Sequence, residues 1–528
     1  MKFGHLFEHL RSYLFTSAGR RSLHGLFRDY RCVRRSPLFD GAWYLSENPD
    51  VSRGGTYSIV HRFLPGTRYA ALHFLLEGGR GRRDPSPGFC CGEYAALNGV
   101  DPAEINPLVH YERFGRKNGV PVSFLPTAPV SRDEALGRLR EKAASGKRIR
   151  TLFFVTHPAM FPARPLFEAM CSDPRFDARI AVVPDLRWGE AAALSGMERC
   201  AADLRAWCHG DRIVVAEKDV GGLWQDLVAD ADLVCHASPY NLSDFHYNPR
   251  WCAGRPVLAF HVNYGYFRSF FDREIVHHWN YACFWKVFSE CEENLGEYRA
   301  HAVDGTNAVV SGYVKMDRLA PFLVRSRPAG RRKRVLIAPH HSVEGGLNDK
   351  LALSNFLRYA DYFRELPRRH PEIDFLFRPH PFLFTALRES RFWGDAKVDA
   401  WIAGVKAEPN VVWIDAGDYF PAFGAADAIV QDCGSWLMEW MYTGKPCCYL
   451  LKQPSDIEEK FTPIGRAALG QCDIAYHPEQ VEAFLRDVVI GGSDAKKASR
   501  EAFRRRIAVN WPHAADVALS DIKQALGL

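Results

Sequence analysis

Residues 426 to 451, ADAIVQDCGSWLMEWMYTGKPCCYLL, read as one strand, helix, strand unit. The apolar run Ala428 to Val430 closes on Gln431-Asp432. Cys433-Gly434-Ser435 makes a loop, an amphipathic stretch follows, and Gly444-Lys445-Pro446 stops it ahead of a second apolar run. Two short apolar strands joined through a helix must run parallel, with both faces of their sheet covered. Ser435 falls at the predicted helix start, where free backbone N–H groups and the positive end of the helix dipole favour a phosphate or a nucleotide ribose. Gly434 would allow close approach and Ser435 would add a hydroxyl. An ordinary capping serine is the plainer reading, and the two roles are compatible.

The same alternation extends outward in both directions. RTLFFVT, ARIAVVP, RIVVAE, ADLVCHAS, RPVLAFH, FWKVFSE and NAVVSG recur between helical stretches from about Arg148. After the Gly/Arg-rich joint SRPAGRRKR the pattern restarts with VLIAP, IDFLFRP, NVVWID, DAIVQD and PCCYLL. The expectation is α/β: two Rossmann-like domains over residues 148–325 and 330–528. A chain of 528 residues is also too long for a single core.

Ligands in open α/β sheets collect outside the carboxyl ends of strands. His261, Gly312, His340, His380 and Asp432 all follow or end predicted strands. His380 stands out in FLFRPHPFL, residues 375 to 383, because Pro379 and Pro381 fix the backbone on either side of it. An imidazole held that way donates to a phosphate oxygen or carries a leaving group's proton. A loop histidine satisfied by a backbone carbonyl is the structural alternative.

Composition narrows the function classes. Sixty-eight basic against 62 acidic residues leave a net charge of +6, which is no nucleic-acid signature. The 14 cysteines form no C-x-x-C, so no zinc or redox motif is read, and reduced thiols are expected. No signal peptide or apolar span is visible, which predicts a cytoplasmic protein. The candidate residues include no acidic cluster, so neither a metal nor a cofactor is expected.

The amino-terminal part has a different character. Residues 1–35 space aromatic and leucine residues at helical intervals beside Arg20, Arg21, Arg28, Arg31, Arg34 and Arg35, as a membrane-surface helix or a packed helix with a basic face would. Residues 36–125 carry an imperfect repeat. SPLFDGAWYLSENPDV with ALHFLLEGGRGRRDPSP returns as SPGFCCGEYAALNGVDP with PLVHYERFGRKNGVPVS, predicting two short helical hairpins. His73 and His110 occupy matching places and are expected to be structural. The segment from Pro126 to Arg150 reads as a linker followed by a surface helix.

Taken in order, the motifs over about residues 150 to 475 resemble the CDP-glycerol glycerophosphotransferases of teichoic acid and capsule synthesis. RPVLAFHVNYGYF is similar to that family's WHG…K segment, and VVSGYVKMDRL to its tGyPR.D.L joint. RVLIAPHHS is similar to its ILYAPTWR, FLFRPHP to its l..r.HP, and AADAIVQDCGSWLMEW to its aDvlITDYSS..fD. The repeats resemble the NPDV-type repeats that accompany bacterial polysaccharide-synthesis transferases.

The resemblance implies a glycosyltransferase-B-like enzyme in which an acceptor hydroxyl attacks the distal phosphate of a CDP-activated polyol and CMP leaves. It makes His261 the acceptor-side base and places His380 on the donor diphosphate. Asp432, Gly434 and Ser435 match the loop that holds nucleotide and phosphates, while Gly312 and Lys315 lie in the joint. The chain departs from the family at Lys315, at Cys433-Gly434-Ser435, at Phe260-His261-Val262 and at His340-His341-Ser342. Lys315, Arg378, His340 and His341 then stand in for lost arginine contacts, with Ser342 beside them. The implied partners are the CDP-activated donor and a polysaccharide or lipid-linked acceptor, with peripheral contact to the inner face of the cell membrane and no nucleic acid. An inverting CMP-sugar glycosyltransferase of sialic acid or Kdo type is the neighbouring alternative. A non-catalytic scaffold of a capsule-synthesis complex is the alternative of another class.

Overall fold

The apolar runs become strands of two all-parallel sheets. The computed structural model describes residues 19–528 apart from 49–50, 52–65, 82, 99, 103, 119–121, 123–128, 159–160, 187–188, 221, 223, 239–241, 271–279, 302–304, 325–329, 345–351, 390 and 416. The first sheet holds β1 (Ile149–Val155), β2 (Phe176–Val182), β3 (Ile213–Val215), β4 (Leu233–His236), β5 (Leu258–Val262), β6 (Lys286–Ser289) and β7 (Ala308–Val310) in the order β3-β2-β1-β4-β5-β6-β7. The second holds β8 (Lys333–Ala338), β9 (Ile373–Phe377), β10 (Val411–Trp413), β11 (Ala428–Gln431), β12 (Cys447–Leu450) and β13 (Asp473–Ala475) in the order β10-β9-β8-β11-β12-β13. The chain reverses direction across each sheet between its first and fourth strands, leaving switch points at β1/β4 and β8/β11. These are two Rossmann-like domains in a glycosyltransferase-B-like arrangement. Strand β13 was not expected, because its three residues, Asp473-Ile474-Ala475, include only one strongly apolar side chain and form no apolar run.

Burial explains the boundaries and corrects two of them. The helix Arg132–Ala144, expected as a surface helix after a linker, buries Ala135, Leu139 and Ala143 in the core of the first sheet. The last helix, Ala514–Leu526, assigned to the second domain by its position in the chain, buries Ala514, Ala518, Ile522 and Leu526 in that same first core. Asp317 accepts from the backbone N–H groups of Ala514 and Ala515 at the start of that helix (3.2 and 2.8 Å). Gly312 lies under the returning tail at φ +93°, and any β-carbon there would collide with the Val509 carbonyl.

The repeat is plain in the helical region. Tyr44 meets His73 Nδ1 at 2.9 Å, and Tyr94 meets His110 Nδ1 at 2.8 Å. A single turn of π-helix follows each histidine, Phe74–Gly78 and Tyr111–Gly115. Both π-turns end on a glycine whose β-carbon would strike the tyrosine hydroxyl of its own copy. Arg250 of the first domain pairs with Asp84 and donates to the Pro87 carbonyl, tying the repeats to the sheet. Residues 1–18 of the basic amino-terminal segment lie outside the described residues. The described helix Gly19–Arg35 packs on the repeats through Val33 while Phe27 stays exposed. Among the described residues no helix is long and apolar enough to cross a membrane.

Substituting Gly115→Ala drives a methyl group into the Tyr94 hydroxyl. We expect a loss of about 1 to 3 kcal/mol from the helical region, the usual penalty for overpacking. Urea unfolding of the full chain followed by tyrosine fluorescence should show an earlier first transition. Gly92→Ala, where nothing lies within 4 Å of the added carbon, should leave it in place.

Candidate functional site

The carboxyl ends of β9, β8 and β11 lie side by side, and a buried carboxylate holds them in register. Asp432 is fully buried. It accepts the His340 backbone N–H at 2.6 Å and the Asn355 backbone N–H, and the Asn355 amide reaches on to the Leu450 carbonyl at 3.2 Å. Burial pushes the Asp432 carboxyl up to about 6. The sequence reading grouped Asp432 with ligand-binding residues. Its oxygens are instead occupied in bracing the loops after β8 and before the helix Phe356–Arg369, so its part is to position them.

The loop after β8 carries His340 and His341, and the loop after β9 carries His380. The His341 and His380 rings lie 4.0 Å apart centre to centre, His340 and His341 4.3 Å, and His340 and His380 5.3 Å. His380 therefore reaches the Asp432 loop through His340 and not directly, because β8 separates β9 from β11. The His380 backbone N–H donates to the Pro339 carbonyl at 3.0 Å, which links the two loops.

Burial pushes His380 down to about 3 and His341 to about 4, and holds His340 well below its ordinary 6.5, so all three are neutral. Their tautomers follow from their neighbours. His380 caps the helix Pro381–Leu387 by accepting the Phe382 N–H at Nδ1 (3.2 Å). His340 Nδ1 accepts from the Ser342 N–H (3.3 Å) and lies 2.8 Å from the Ser342 hydroxyl, which itself accepts the Leu353 N–H. In both rings Nε2 keeps the proton and is a donor.

Among the described residues these three histidines form a group whose ligand atoms, all within 4.8 Å of one another, are close enough to share a metal ion. Binding one through Nε2 would displace the protons that the present hydrogen bonds place there. The arrangement fits an anion better than a cation.

The other expected residues divide. Gly434 begins the helix Gly434–Met441 and Ser435 follows it, half-buried; Cys433 stands at the cap without a side-chain hydrogen bond to the helix, its thiol pushed up to about 12 by burial. Lys315 is engaged elsewhere. Its ammonium lies 2.9 Å from Glu439, which also takes the hydroxyls of Tyr313 (2.9 Å) and Tyr419 (2.6 Å). Arg378 donates to the Gly417 carbonyl, and Gly312 lies under the carboxyl-terminal tail. The structure thus brings together His340, His341, Ser342, His380 and Asp432, and uses Gly312 and Lys315 to join the domains.

In the first domain His261, expected at a strand end as an acceptor-side base, is entirely buried. It donates from Nδ1 to the His236 carbonyl at 2.6 Å and stacks on Phe284 at 5.0 Å, and burial holds it at about 4. The sequence reading missed His157, which follows β1 at the switch point. Its ring is 41% exposed and its Nε2 lies 3.1 Å from the buried Asp185 carboxylate. The strand-end rule that selected the other histidines applied to it equally.

No family model matches the chain, and no curated protein matches it in sequence. Solved structures that resemble it include a UDP-GlcNAc 2-epimerase from Neisseria meningitidis bound to UDP-GlcNAc, with 12% identity and a TM-score of 0.46 over 71% of this chain and 100% of that one. S. aureus MnaA with UDP is similar at 12% identity and TM-score 0.47, over 72% and 97%. The wall teichoic acid polymerase TagF is similar at 11% identity and TM-score 0.46, over 75% and 94%. Likeness at this level assigns neither substrate nor residue.

The depressed histidines set an acid limit on stability. The unfolded chain binds protons below about pH 6.5 that folded His380 refuses until about pH 3, so stability is lost as pH falls through that window. Asp432, raised from 3.8 to about 6, acts with the opposite sign. The histidine contribution is therefore read by difference: the plot of urea midpoint against pH should be flatter between pH 6.5 and 3 in His380→Asn than in wild type.

Proposed function

We propose that this chain transfers a polyol phosphate, glycerol phosphate or a close analogue, from a CDP-activated donor to a hydroxyl of a cell-surface polysaccharide or lipid-linked acceptor. One observation carries the reading: His340 and His380 present Nε2–H donors beside each other at the carboxyl edge of the second sheet, next to its switch point. Phosphoryl transfer asks chiefly for positioning and for neutralisation of spread negative charge. Neutral imidazoles in a tight group supply donors at once.

The reaction forms a bond from the acceptor oxygen to the donor's distal phosphorus. It breaks the bond from that phosphorus to the bridging oxygen, and CMP leaves with the electron pair. The hydroxyl proton needs a base with a free lone pair. His261 has the right tautomer, with Nδ1 donating to a carbonyl, but is covered. His157 donates from Nε2 to Asp185, which leaves Nδ1 as an accessible acceptor at the same edge of the first sheet.

Calorimetry with CDP-glycerol, CDP-ribitol, CMP-sialic acid and UDP-sugars, followed by phosphorus NMR of the product, tests the proposal. We expect binding of a CDP-polyol and a phosphodiester product. His380→Ala should abolish transfer and leave the fold intact. A glycosidic product would replace this reading with CMP-sugar transfer, and absence of nucleotide binding would replace it with a scaffold. Of His157→Ala and His261→Ala, the one that loses turnover at unchanged nucleotide affinity identifies the base.

A further inference from the structure

The segment that leaves β5 crosses to the second domain and is fixed there from Tyr266 to Ser269. The Tyr266 hydroxyl lies 2.5 Å from that of Tyr442 and 3.0 Å from the Ile507 carbonyl. The Thr462 hydroxyl donates to the Phe267 carbonyl at 2.6 Å, the Thr462 N–H donates to the Arg268 carbonyl at 3.0 Å, and Ser269 forms a β-bridge with Phe461. The backbone is held on both sides of Arg268. Gly465 makes room for it, since a β-carbon there would collide with the Arg268 carbonyl.

The Arg268 side chain, only 8% exposed, turns towards the second domain's site. Nη1 donates to the Tyr266 carbonyl at 3.2 Å. At the first residue of the helix Gly434–Met441 the guanidinium lies so close that a β-carbon on Gly434 would come within 2.6 Å of Nη2 and 2.9 Å of Nε. Its charge also reaches His340 and Cys433, acting against protonation of the one and favouring the thiolate of the other.

We infer that Arg268 is the residue that grips the donor's diphosphate, supplied to the second domain's site by the first. Three kinds of donor converge there: the guanidinium fork, the Nε2–H of His340 and the N–H groups of the helix start at Gly434. A planar fork meets two phosphate oxygens at once, which an ammonium or an imidazole does not. Gly434 has the role of leaving space for the fork as well as for the ligand. Because the arginine arrives from the other domain, donor affinity depends on the strap that carries it, and binding couples the two domains. The inference rests on the donor site proposed above and concerns its phosphates, not its base or polyol.

The test compares wild type, Arg268→Lys and Arg268→Gln in titrations with cytidine, CMP, CDP and inorganic pyrophosphate. Loss of a charged hydrogen-bonding fork should weaken CDP and pyrophosphate about tenfold or more and leave cytidine unchanged. A packing role would instead weaken cytidine as much as CDP, and that result, or unchanged pyrophosphate affinity, overturns the inference. Should the buried substitutions fail to fold, Gly434→Ala keeps the arginine but forces its fork aside, and the same selective loss is expected. Binding of pyrophosphate by wild type, lost in the variants but without binding of any cytidine compound, would remove the CDP donor and leave Arg268 standing. Equal CDP affinity in wild type and variants would do the reverse. Absence of pyrophosphate binding by wild type would overturn the inference outright.

Discussion

Two backbone N–H groups, from His340 and Asn355, end on the carboxylate of Asp432, and the second domain's site depends on that contact. A carboxylate with no exposed surface is costly unless its oxygens are hydrogen-bonded, and the backbone groups it holds would be equally costly unpaired, about 1 to 3 kcal/mol each. Each side therefore requires the other. The consequence is geometric: the ends of β8 and β11 are tied at the switch point, and the first residues after β8 are held in place. That placement sets His340 and His341 against His380.

Neutral imidazoles avoid a cost that charged groups would bear here. Three permanent positive charges at ring separations of 4.0 to 5.3 Å would repel strongly in a buried place. Histidine avoids this by staying neutral where burial disfavours charge, while still offering Nε2–H donors. Fixed charge enters from a different direction, on Arg268, held by backbone contacts rather than by the histidine loops. The two kinds of donor come from different domains.

Joining the domains uses several residues that looked like ligand contacts. Lys315 is drawn to Glu439, whose other contacts are the Tyr313 and Tyr419 hydroxyls, so one helix of the second domain is fastened to the segment leaving the first. Gly312 passes beneath the tail that returns the last helix to the first sheet. These contacts, with Tyr266 against Tyr442, bury a shared core of Tyr266, Tyr313, Met316 and Leu319 against Phe420, Phe423 and Met438. The carboxyl edges of both sheets are thereby held by packing as well as by the chain's crossings between the domains.

Much of this was legible in the chain. Period and punctuation alone located twelve of the strands, and only the three-residue β13 escaped. The repeat marked His73 and His110 as structural, and each meets the tyrosine of its own copy. The prolines around His380 announced a fixed imidazole, because proline's ring sets its backbone angle in any context. Direction and partner were not legible. Whether Asp432 faces a ligand or two backbone amides, whether His261 opens to a cleft or stacks on Phe284, and whether Lys315 meets a phosphate or Glu439 depend on groups that lie far off in sequence. Arg268 gave no signal, since its place at Gly434 is set by Tyr442, Phe461 and Thr462, well over a hundred residues away. Local backbone preference is written residue by residue, and it determined the strands and the held loops. What each side chain touches is decided by packing between distant segments, and only the tertiary structure supplies it.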